Sequence, residues 1–206
     1  MMKRQDLEFR AHLEKVDREF WRVVQNHPPL SLPIPRPPFE ALVRIVAGQQ
    51  LSVKAADSVF QKLVALMNGE VSACAVRQQD WRSIQACGLS RSKLNCIQEL
   101  AEFAGENEHE LNRWLTRDWN ELRTRLLEVK GIGPWSVDMF GMFGLGLEDV
   151  FSEGDLGLRM AMVDHLNMPP KAKPAAFVER ALIWSPYRSL ACLHLWHAKD
   201  QNHQPR

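Results

Sequence analysis

Residues 126–155 read LLEVKGIGPWSVDMFGMFGLGLEDVFSEGD, and this stretch decides the fold that we expect for the chain. Its segment 129–133 has the glycine spacing of a tight hairpin between two helices. Pro134 stands where the second helix would take its first residue, because a proline has no N–H to leave unpaired there. Gly131 and Gly133 permit positive φ and leave backbone N–H groups uncovered, as an anion site before a helix requires. A plain corner between two helices would explain the same pattern.

The composition is that of an ordinary globular chain of 206 residues, with 45% hydrophobic and 25% charged residues. The formal net charge is only +1, so the chain lacks the basic excess of many DNA-binding proteins, although a local phosphate site needs only local geometry. No apolar run is long enough to cross a membrane, and the charged N-terminus lacks the apolar core of a secretory signal. We therefore expect one domain, built either as a single lobe or as two lobes around a shared cleft, and no membrane partner.

The cysteine and histidine spacings do not predict a metal centre. The four cysteines include no C-x-x-C pair, and we interpret them as reduced, buried thiols of a cytosolic protein. They are Cys74, Cys87, Cys96 and Cys192. His194 and His197 would share a helix face, but no motif supplies the third ligand that zinc would need. We therefore expect no zinc.

Helical periodicity accounts for nearly all of the chain. Apolar residues recur at three- and four-residue steps over residues 5–26, which predicts one amphipathic helix. Prolines end this helix and predict an extended connector, along which Leu30, Leu32 and Ile34 would pack on the body. A recognition tail for proline-binding modules is the alternative. Further helices are predicted over 39–50, 53–68, 81–87, 91–104, 119–127, from 134, and over 156–166, 175–184 and 187–197, with Ser52, Asp80, Ser90 and Asp118 as N-caps. No strand pattern is present, so we expect an all-α fold.

Two motifs carry a resemblance to a known family. V-K-G-I-G-P-W-S-V-D-M-F resembles the helix–hairpin–helix motif of DNA glycosylases, and V-F-S-E-G-D-L-G-L resembles the segment of that superfamily that carries an essential aspartate. The resemblance is to the 3-methyladenine DNA glycosylase II (AlkA-like) branch of the HhH-GPD superfamily, over roughly residues 36–198. It implies a single HhH-GPD glycosylase domain over residues 1–206, lacking an N-terminal β domain. The central helical lobe would span about residues 46–154, and the second lobe would combine 1–45 with 155–206.

The resemblance also implies an activity. The chain would be a monofunctional DNA glycosylase of base excision repair, which flips an alkylated base, 3-methyladenine foremost, out of the duplex. It would hydrolyse the N-glycosidic bond and leave an abasic site. Two alternatives stay open: a glycosylase for uracil, deaminated or mismatched bases, and a non-catalytic helix–hairpin–helix DNA-binding protein. The presence of Asp155 argues against the second alternative.

Asp155 is the expected catalytic residue. Taken alone, an aspartate before Leu156 is explained most simply as a helix N-cap. Both roles are compatible, because a helix start fixes the orientation of the carboxylate and favours its anionic form. A carboxylate there could stabilise oxocarbenium character at the sugar, or orient or deprotonate the attacking water. Glu153 is the alternative acid, and the resemblance selects Asp155.

Two aromatic residues correspond to base-pocket positions of the AlkA-like branch. In superfamily members that also cut the strand, the position of Trp135 is a lysine that forms a Schiff base, and an indole cannot form one. Trp135 and Tyr187 would stack on a base made cationic by alkylation. Some relatives carry a tryptophan at the position of Tyr187. Both could instead be ordinary core aromatics.

The DNA-binding hairpin would consist of Lys130, Gly131, Ile132 and Gly133. In A-G-Q-Q-L-S-V-K-A-A, Gln50 or Leu51 would be the wedge that fills the gap left by a flipped base. The competing interpretation is that Gln49 and Gln50 are only solvated turn residues.

No cofactor is expected to be required. The backbone carbonyls of Leu127, Val129 and Ile132 would hold a structural Na⁺ or K⁺ at the hairpin. Some superfamily members carry an iron–sulfur cluster on four cysteines near the C-terminus, and this chain has only Cys192 there, so we expect none. The expected partner is double-stranded DNA with damaged bases, and the expected state is a monomer. The expected location is the cytoplasm, at the nucleoid, in a bacterium, or the nucleus in a eukaryote.

Overall fold

The computed structural model describes residues 2–105, 108–116 and 118–202, and in this part of the chain it contains helices and no β-strand. The all-α prediction is confirmed. The helices are Met2–Val16 (α1), Arg18–Val24 (α2), Pro38–Gly48 (α3), Val53–Leu66 (α4), Ala73–Gln78 (α5), Trp81–Ala86 (α6), Arg91–Ala104 (α7), His109–Leu115 (α8), Trp119–Leu127 (α9), Pro134–Met139 (α10), Leu156–His165 (α11), Pro174–Leu182 (α12) and Arg188–Asn202 (α13). A π-helical turn, Phe140–Gly144, continues α10. None of the described helices has both the length and the apolar character needed to cross a bilayer.

The chain divides into two compact units. The first, Pro35–Phe140, contains the hairpin and is called the hairpin unit below. The second combines Met1–Ile34 with Gly141–Arg206 and is called the aspartate unit, because it contains Asp155. The chain therefore passes between the units after Ile34 and after Phe140, earlier than the boundaries expected near residues 45 and 154. The first boundary is earlier because α3 packs against α4 and α7. The second is earlier because the 147–150 segment is bonded to α13.

The hairpin unit is built around α3, which packs against both α4 and α7. Ser52, Asp80 and Ser90 cap their helices as predicted, each accepting a hydrogen bond from a backbone N–H three residues on. Asp118 also caps its helix, but it accepts from the N–H of Asn120 at 2.8 Å. Asn68 and Gly69, both with positive φ, follow the end of α4.

Lys93 donates from Nζ to the carbonyl of Ala47 at 2.9 Å, and burial lowers the pKa of this amine. The expectation that all four cysteines are buried is wrong. Cys74 is exposed, whereas the other three cysteines are buried. The six-residue α5 buries only Ala73 and Val76, so Cys74 lies on its outer face.

The aspartate unit begins with two helices where the sequence predicts one. Asp17 leaves the helical conformation, with φ −151° and ψ 80°, and caps α2 through a 3.1 Å hydrogen bond from the N–H of Phe20. Its carboxylate also accepts the indole N–H of buried Trp184 at 2.7 Å and a 2.8 Å bond from Arg180. These contacts explain the break, because a continuous helix would leave the Trp184 N–H unpaired inside the core.

α13 holds the loop that leads to Asp155. Arg188 donates to both carboxylate oxygens of Asp149, at 2.7 and 3.0 Å. Burial would raise the pKa of Asp149, but the hydrogen bonds from Arg188 and Ser185 lower it overall. Ser189 donates to the carbonyl of Leu147 at 2.6 Å and accepts from the N–H of Val150 at 3.0 Å. The loop is therefore fixed to α13 on both sides of Asp149.

The proline-rich connector has no regular secondary structure over residues 28–37, as predicted. The N–H of Leu30 donates to Asp6 at 3.1 Å, and Leu30 and Leu32 are half-buried against the body. Ile34 does not pack as expected, because its side chain is 82% exposed. Prolines on both sides fix the backbone at Ile34 and leave it little freedom to turn inward.

Candidate functional site

The hairpin between α9 and α10 is anchored by two apolar side chains. Val129 and Ile132 are buried, and the N–H of Ile132 donates to the carbonyl of Val129 at 3.0 Å, which closes the turn. Lys130, between them in sequence, is exposed. The turn therefore presents Lys130 and the adjoining backbone at the surface of the hairpin unit.

Gly131 is required by the packing of this turn. Its φ is +97°, and a Cβ there would lie 2.8 Å from Cβ and 2.9 Å from Sγ of Cys96 on α7. No side chain fits at that distance. Burial, reinforced by Glu99, raises the pKa of the Cys96 thiol to about 11, so this sulfur is an uncharged packing partner.

Gly133 has a different role from Gly131. Its φ is −107° and its ψ 174°, so it does not use the positive φ that the sequence permits. A Cβ built at Gly133 would meet nothing within 4 Å. Neither its conformation nor its surroundings require a glycine, and the backbone at the start of α10 is open on that side.

Gln49 connects the end of α3 to the hairpin. Its Nε2 donates to Oγ of buried Ser136 at 2.9 Å and to the carbonyl of Gly131 at 3.3 Å. The interpretation of Gln49 as a solvated turn residue is therefore wrong. The sequence did not predict this contact, which joins the predicted wedge segment to the predicted DNA-binding hairpin.

The wedge candidates lie at the tip of the next turn. The N–H of Leu51 donates to the carbonyl of Gly48 at 3.1 Å, and Gln50 has a φ of +57°, as at the third position of a type II turn. Glutamine rarely adopts this conformation, which costs roughly 1 kcal/mol or more. Gln50 is exposed, and Leu51 is 41% exposed. Either side chain is accessible to a partner.

The three positions expected to bind a monovalent cation lie where α9 runs into the hairpin. Leu127 is the last residue of α9, and Val129 and Ile132 belong to the turn. The Val129 carbonyl already accepts the hydrogen bond from Ile132. A carbonyl oxygen has two lone pairs, so this bond leaves one for a cation.

Asp155 is the N-cap of α11 and is held by two donors. Its Oδ1 accepts the N–H of Leu158 at 2.8 Å and the indole Nε1–H of Trp196 at 3.1 Å. Trp196 lies on α13, so both helices orient the carboxylate. The alternative acid, Glu153, is exposed in the turn before it. The sequence predicted the cap but missed Trp196, because no spacing pattern relates the two residues.

The two aromatic candidates belong to different units. Tyr187, in the aspartate unit, is half-buried, and its ring lies 6.3 Å from that of Phe9 and 5.5 Å from that of His12, measured between centroids. Trp135, in the hairpin unit, is half-buried in the first turn of α10. The ring contacts described for Tyr187 are thus with α1, and its role in a base pocket stays a prediction.

The two histidines of α13 take part in a network around Asp6, in which His194 is buried and His197 is half-buried. His194 Nε2 lies 2.8 Å from Oδ1 of Asp6, and its Nδ1 lies 3.1 Å from Nδ1 of His27. The His197 ring meets the His27 ring edge-on, with 4.6 Å between centroids. Among the described residues, no three His, Cys, Asp or Glu side chains are grouped so that they could hold a metal ion.

A glycine-containing hairpin between two helices is a helix–hairpin–helix motif, and here an aspartate also caps a later helix of an all-α protein. Comparison with known proteins makes the assignment specific. Residues 43–186 match the HhH-GPD superfamily of base excision DNA repair proteins, and the chain belongs to that family. The resemblance seen in the sequence is confirmed.

Relatives from two yeasts extend the similarity beyond the matched region. DNA-3-methyladenine glycosylase 1 of Schizosaccharomyces pombe is 32% identical over 90% of this chain and 84% of its own length. DNA-3-methyladenine glycosylase of Saccharomyces cerevisiae is 26% identical over 80% of this chain and 67% of its own length. The solved structure of the S. pombe 3-methyladenine DNA glycosylase in complex with abasic DNA superposes with a TM-score of 0.84 at 27% identity. It covers 97% of this chain, and this chain covers all of it.

Proposed function

We propose that this protein is a monofunctional DNA glycosylase that removes alkylated bases, 3-methyladenine foremost, and leaves an abasic site. The observation that carries the proposal is Asp155, a helix N-cap held by a second helix, in a chain of the HhH-GPD family. The names of the yeast relatives support the choice of base.

Asp155 has the chemistry that N-glycosidic hydrolysis needs. As the bond to the base breaks, positive charge develops on the sugar, and a carboxylate held nearby stabilises that charge without having to reorganise. The N–H of Leu158 and the indole of Trp196 fix its orientation. The same carboxylate orients or deprotonates the water that attacks C1′.

Water is the nucleophile in this proposal. Trp135 stands at the hairpin position where strand-cutting members of the superfamily carry a lysine, and an indole cannot form an imine with the sugar. The reaction therefore ends at the abasic site. An alkylated base is cationic and already a good leaving group, so a strong general acid is not required.

The hairpin and the turn at Gln50 are the proposed DNA contacts. The open backbone at Gly133 and the exposed Lys130 suit a phosphate, which carries no base information. Exposed Gln50 or Leu51 fills the gap left by the flipped base. Both contacts lie in the hairpin unit and are joined by Gln49.

The test is product analysis on a panel of duplexes that carry 3-methyladenine, uracil, a deaminated purine or a mismatch. Release of 3-methyladenine with an intact strand supports the proposal. Release of only uracil, a deaminated purine or a mismatched base would overturn the choice of substrate. Binding without release of any base would identify a non-catalytic DNA-binding protein.

A further inference from the structure

We propose that Trp196 and Lys199, one turn apart on α13, are positioning residues for Asp155, and that Gly157 lacks a side chain so that they can reach it. The inference rests on the proposed function, because it assigns these residues a purpose only if Asp155 is catalytic. It adds a second helix to the site, about forty residues beyond the motif that the sequence reveals.

Trp196 supplies a directional contact. Its indole Nε1–H donates to Oδ1 of Asp155 at 3.1 Å, and the ring is half-buried, 6.0 Å from the ring of Phe143 between centroids. A hydrogen bond from a ring fixed by packing holds a carboxylate more rigidly than a solvated donor would. A misplacement of about 1 Å in a catalytic group can cost about 100-fold in rate.

Lys199 brings a positive charge to the same place. It follows Trp196 by three residues, so both side chains lie on one face of α13. A Cβ built at Gly157 would lie 3.0 Å from Oδ1 of Asp155, 3.3 Å from Nζ of Lys199 and 3.4 Å from Cδ1 of Trp196. The carboxylate, the ammonium and the indole therefore converge on one point beside α11.

Gly157 is the third part of the arrangement. It lies in the first turn of α11, where alanine is intrinsically the better helix former. A Cβ at this position would lie 3.0–3.4 Å from the three converging groups, so they would have to shift slightly away from it. A glycine that the helix does not need is thus explained by the clearance around Asp155.

The experiment compares Trp196→Phe, Lys199→Met and Gly157→Ala with the wild-type protein. The measurements are single-turnover excision of 3-methyladenine, affinity for abasic duplex and urea unfolding. We expect excision about 10- to 100-fold slower in each variant, with little change in affinity. Lys199→Arg should recover most of the rate, and Gly157→Ala should unfold no more easily than wild type. Lys171→Met, which removes an exposed lysine of the same unit, is the matched control and should excise normally.

A double-mutant comparison separates positioning from other roles. In an Asp155→Asn background, Trp196→Phe and Lys199→Met should slow the residual reaction no further, because their effect passes through the carboxylate. Wild-type rates in the single variants would overturn the inference, as would weaker DNA binding with an unchanged single-turnover rate. Wild-type protein that releases no alkylated base would overturn the proposed function itself, before any variant is compared.

Discussion

The Nδ1 atoms of His27 and His194 lie 3.1 Å apart, so one imidazole donates a hydrogen bond to the other. Nε2 of His194 faces Oδ1 of Asp6 at 2.8 Å and carries a proton there, since a carboxylate can only accept. In the neutral form, Nδ1 of His194 is therefore the acceptor and His27 the donor. Two protonated rings would point N–H at N–H, so this pair holds at most one additional proton.

Because the pKa of both histidines is lowered in the folded protein, we expect the protein to lose stability in mild acid. Burial is the main reason why the pKa of both His27 and His194 is lowered to about 4. The positive charge of Arg10 lowers both pKa values further. At His27, the neighbouring His197 and His165 also lower the pKa. Asp6 opposes the shift at both rings, and its own pKa is lowered because bonds from Arg10 and His194 outweigh burial.

In the unfolded chain histidine titrates near 6.5, so on acidification the unfolded state takes up protons first. The contribution of the neutral histidine pair to the free energy of unfolding is therefore fully present above about pH 6.5 and is lost progressively towards pH 4. Between pH 7 and pH 5, one such histidine lowers the free energy of unfolding by about 2 kcal/mol. Urea unfolding at the two pH values measures the loss. His194→Gln should reduce it, whereas His109→Gln, a change at an exposed position of α8, should leave it unchanged. Equal stability of the wild-type protein at both pH values would contradict this assignment.

At Gln50, a substitution should change excision without changing stability. Gln50→Gly relieves the positive φ, so its unfolding free energy should stay within about 1 kcal/mol of wild type. If Gln50 is the wedge, excision should nevertheless slow, because nothing then keeps the flipped base out of the stack. Leu51→Ala tests the neighbouring candidate, and Val53→Ala, at a 79% exposed position, is the control. Normal excision by both Gln50→Gly and Leu51→Ala would show that this turn is not a wedge.

Substitution should destabilise the protein at Gly131 but not at Gly133. Gly131→Ala places a methyl 2.8 Å from Cβ of Cys96 at a positive φ and should destabilise the protein by roughly 1–3 kcal/mol. Gly133→Val meets open space at an ordinary φ, so the protein should fold normally.

Because the contact at Gly133 would be with phosphate, Gly133→Val should weaken binding to damaged and undamaged duplex by the same factor. Fluorescence anisotropy with both duplexes measures this factor. An unchanged affinity in the folded variant would mean that the hairpin does not touch DNA.

The product should be an intact strand with an abasic site, and borohydride should trap no protein–DNA adduct. Elimination requires an imine between an amine and C1′, and the motif's amine position is Trp135. Lys130 and Lys199 are the lysines to examine, since Lys130 lies in the hairpin and Lys199 lies beside Gly157, close to Asp155. Products are resolved with and without alkali. Strand breaks before alkali, or an adduct that disappears in Lys130→Ala or Lys199→Ala, would reverse the monofunctional assignment.

The sequence predicted what depends on neighbouring residues. The capping serines and Asp80 act on N–H groups three residues away, and the cap at Asp155 has the same local origin. The break between α1 and α2 could not be predicted, because it depends on Asp17 binding Trp184, 167 residues away. The Gln49–Ser136 contact, across 87 residues, is of the same kind, and so is the Trp196–Asp155 bond, across 41. Pairs this distant leave no spacing pattern in a single sequence.

The most direct test of the account is single-turnover release of 3-methyladenine by the wild-type protein and by Asp155→Asn. The substitution keeps the size of the side chain and an oxygen for the α11 cap, and removes the negative charge. We expect wild type to release the base, and Asp155→Asn to be slower by a factor of at least about 1000 while it binds the same duplex normally. Near-normal release by Asp155→Asn would contradict the account and turn attention to Glu153.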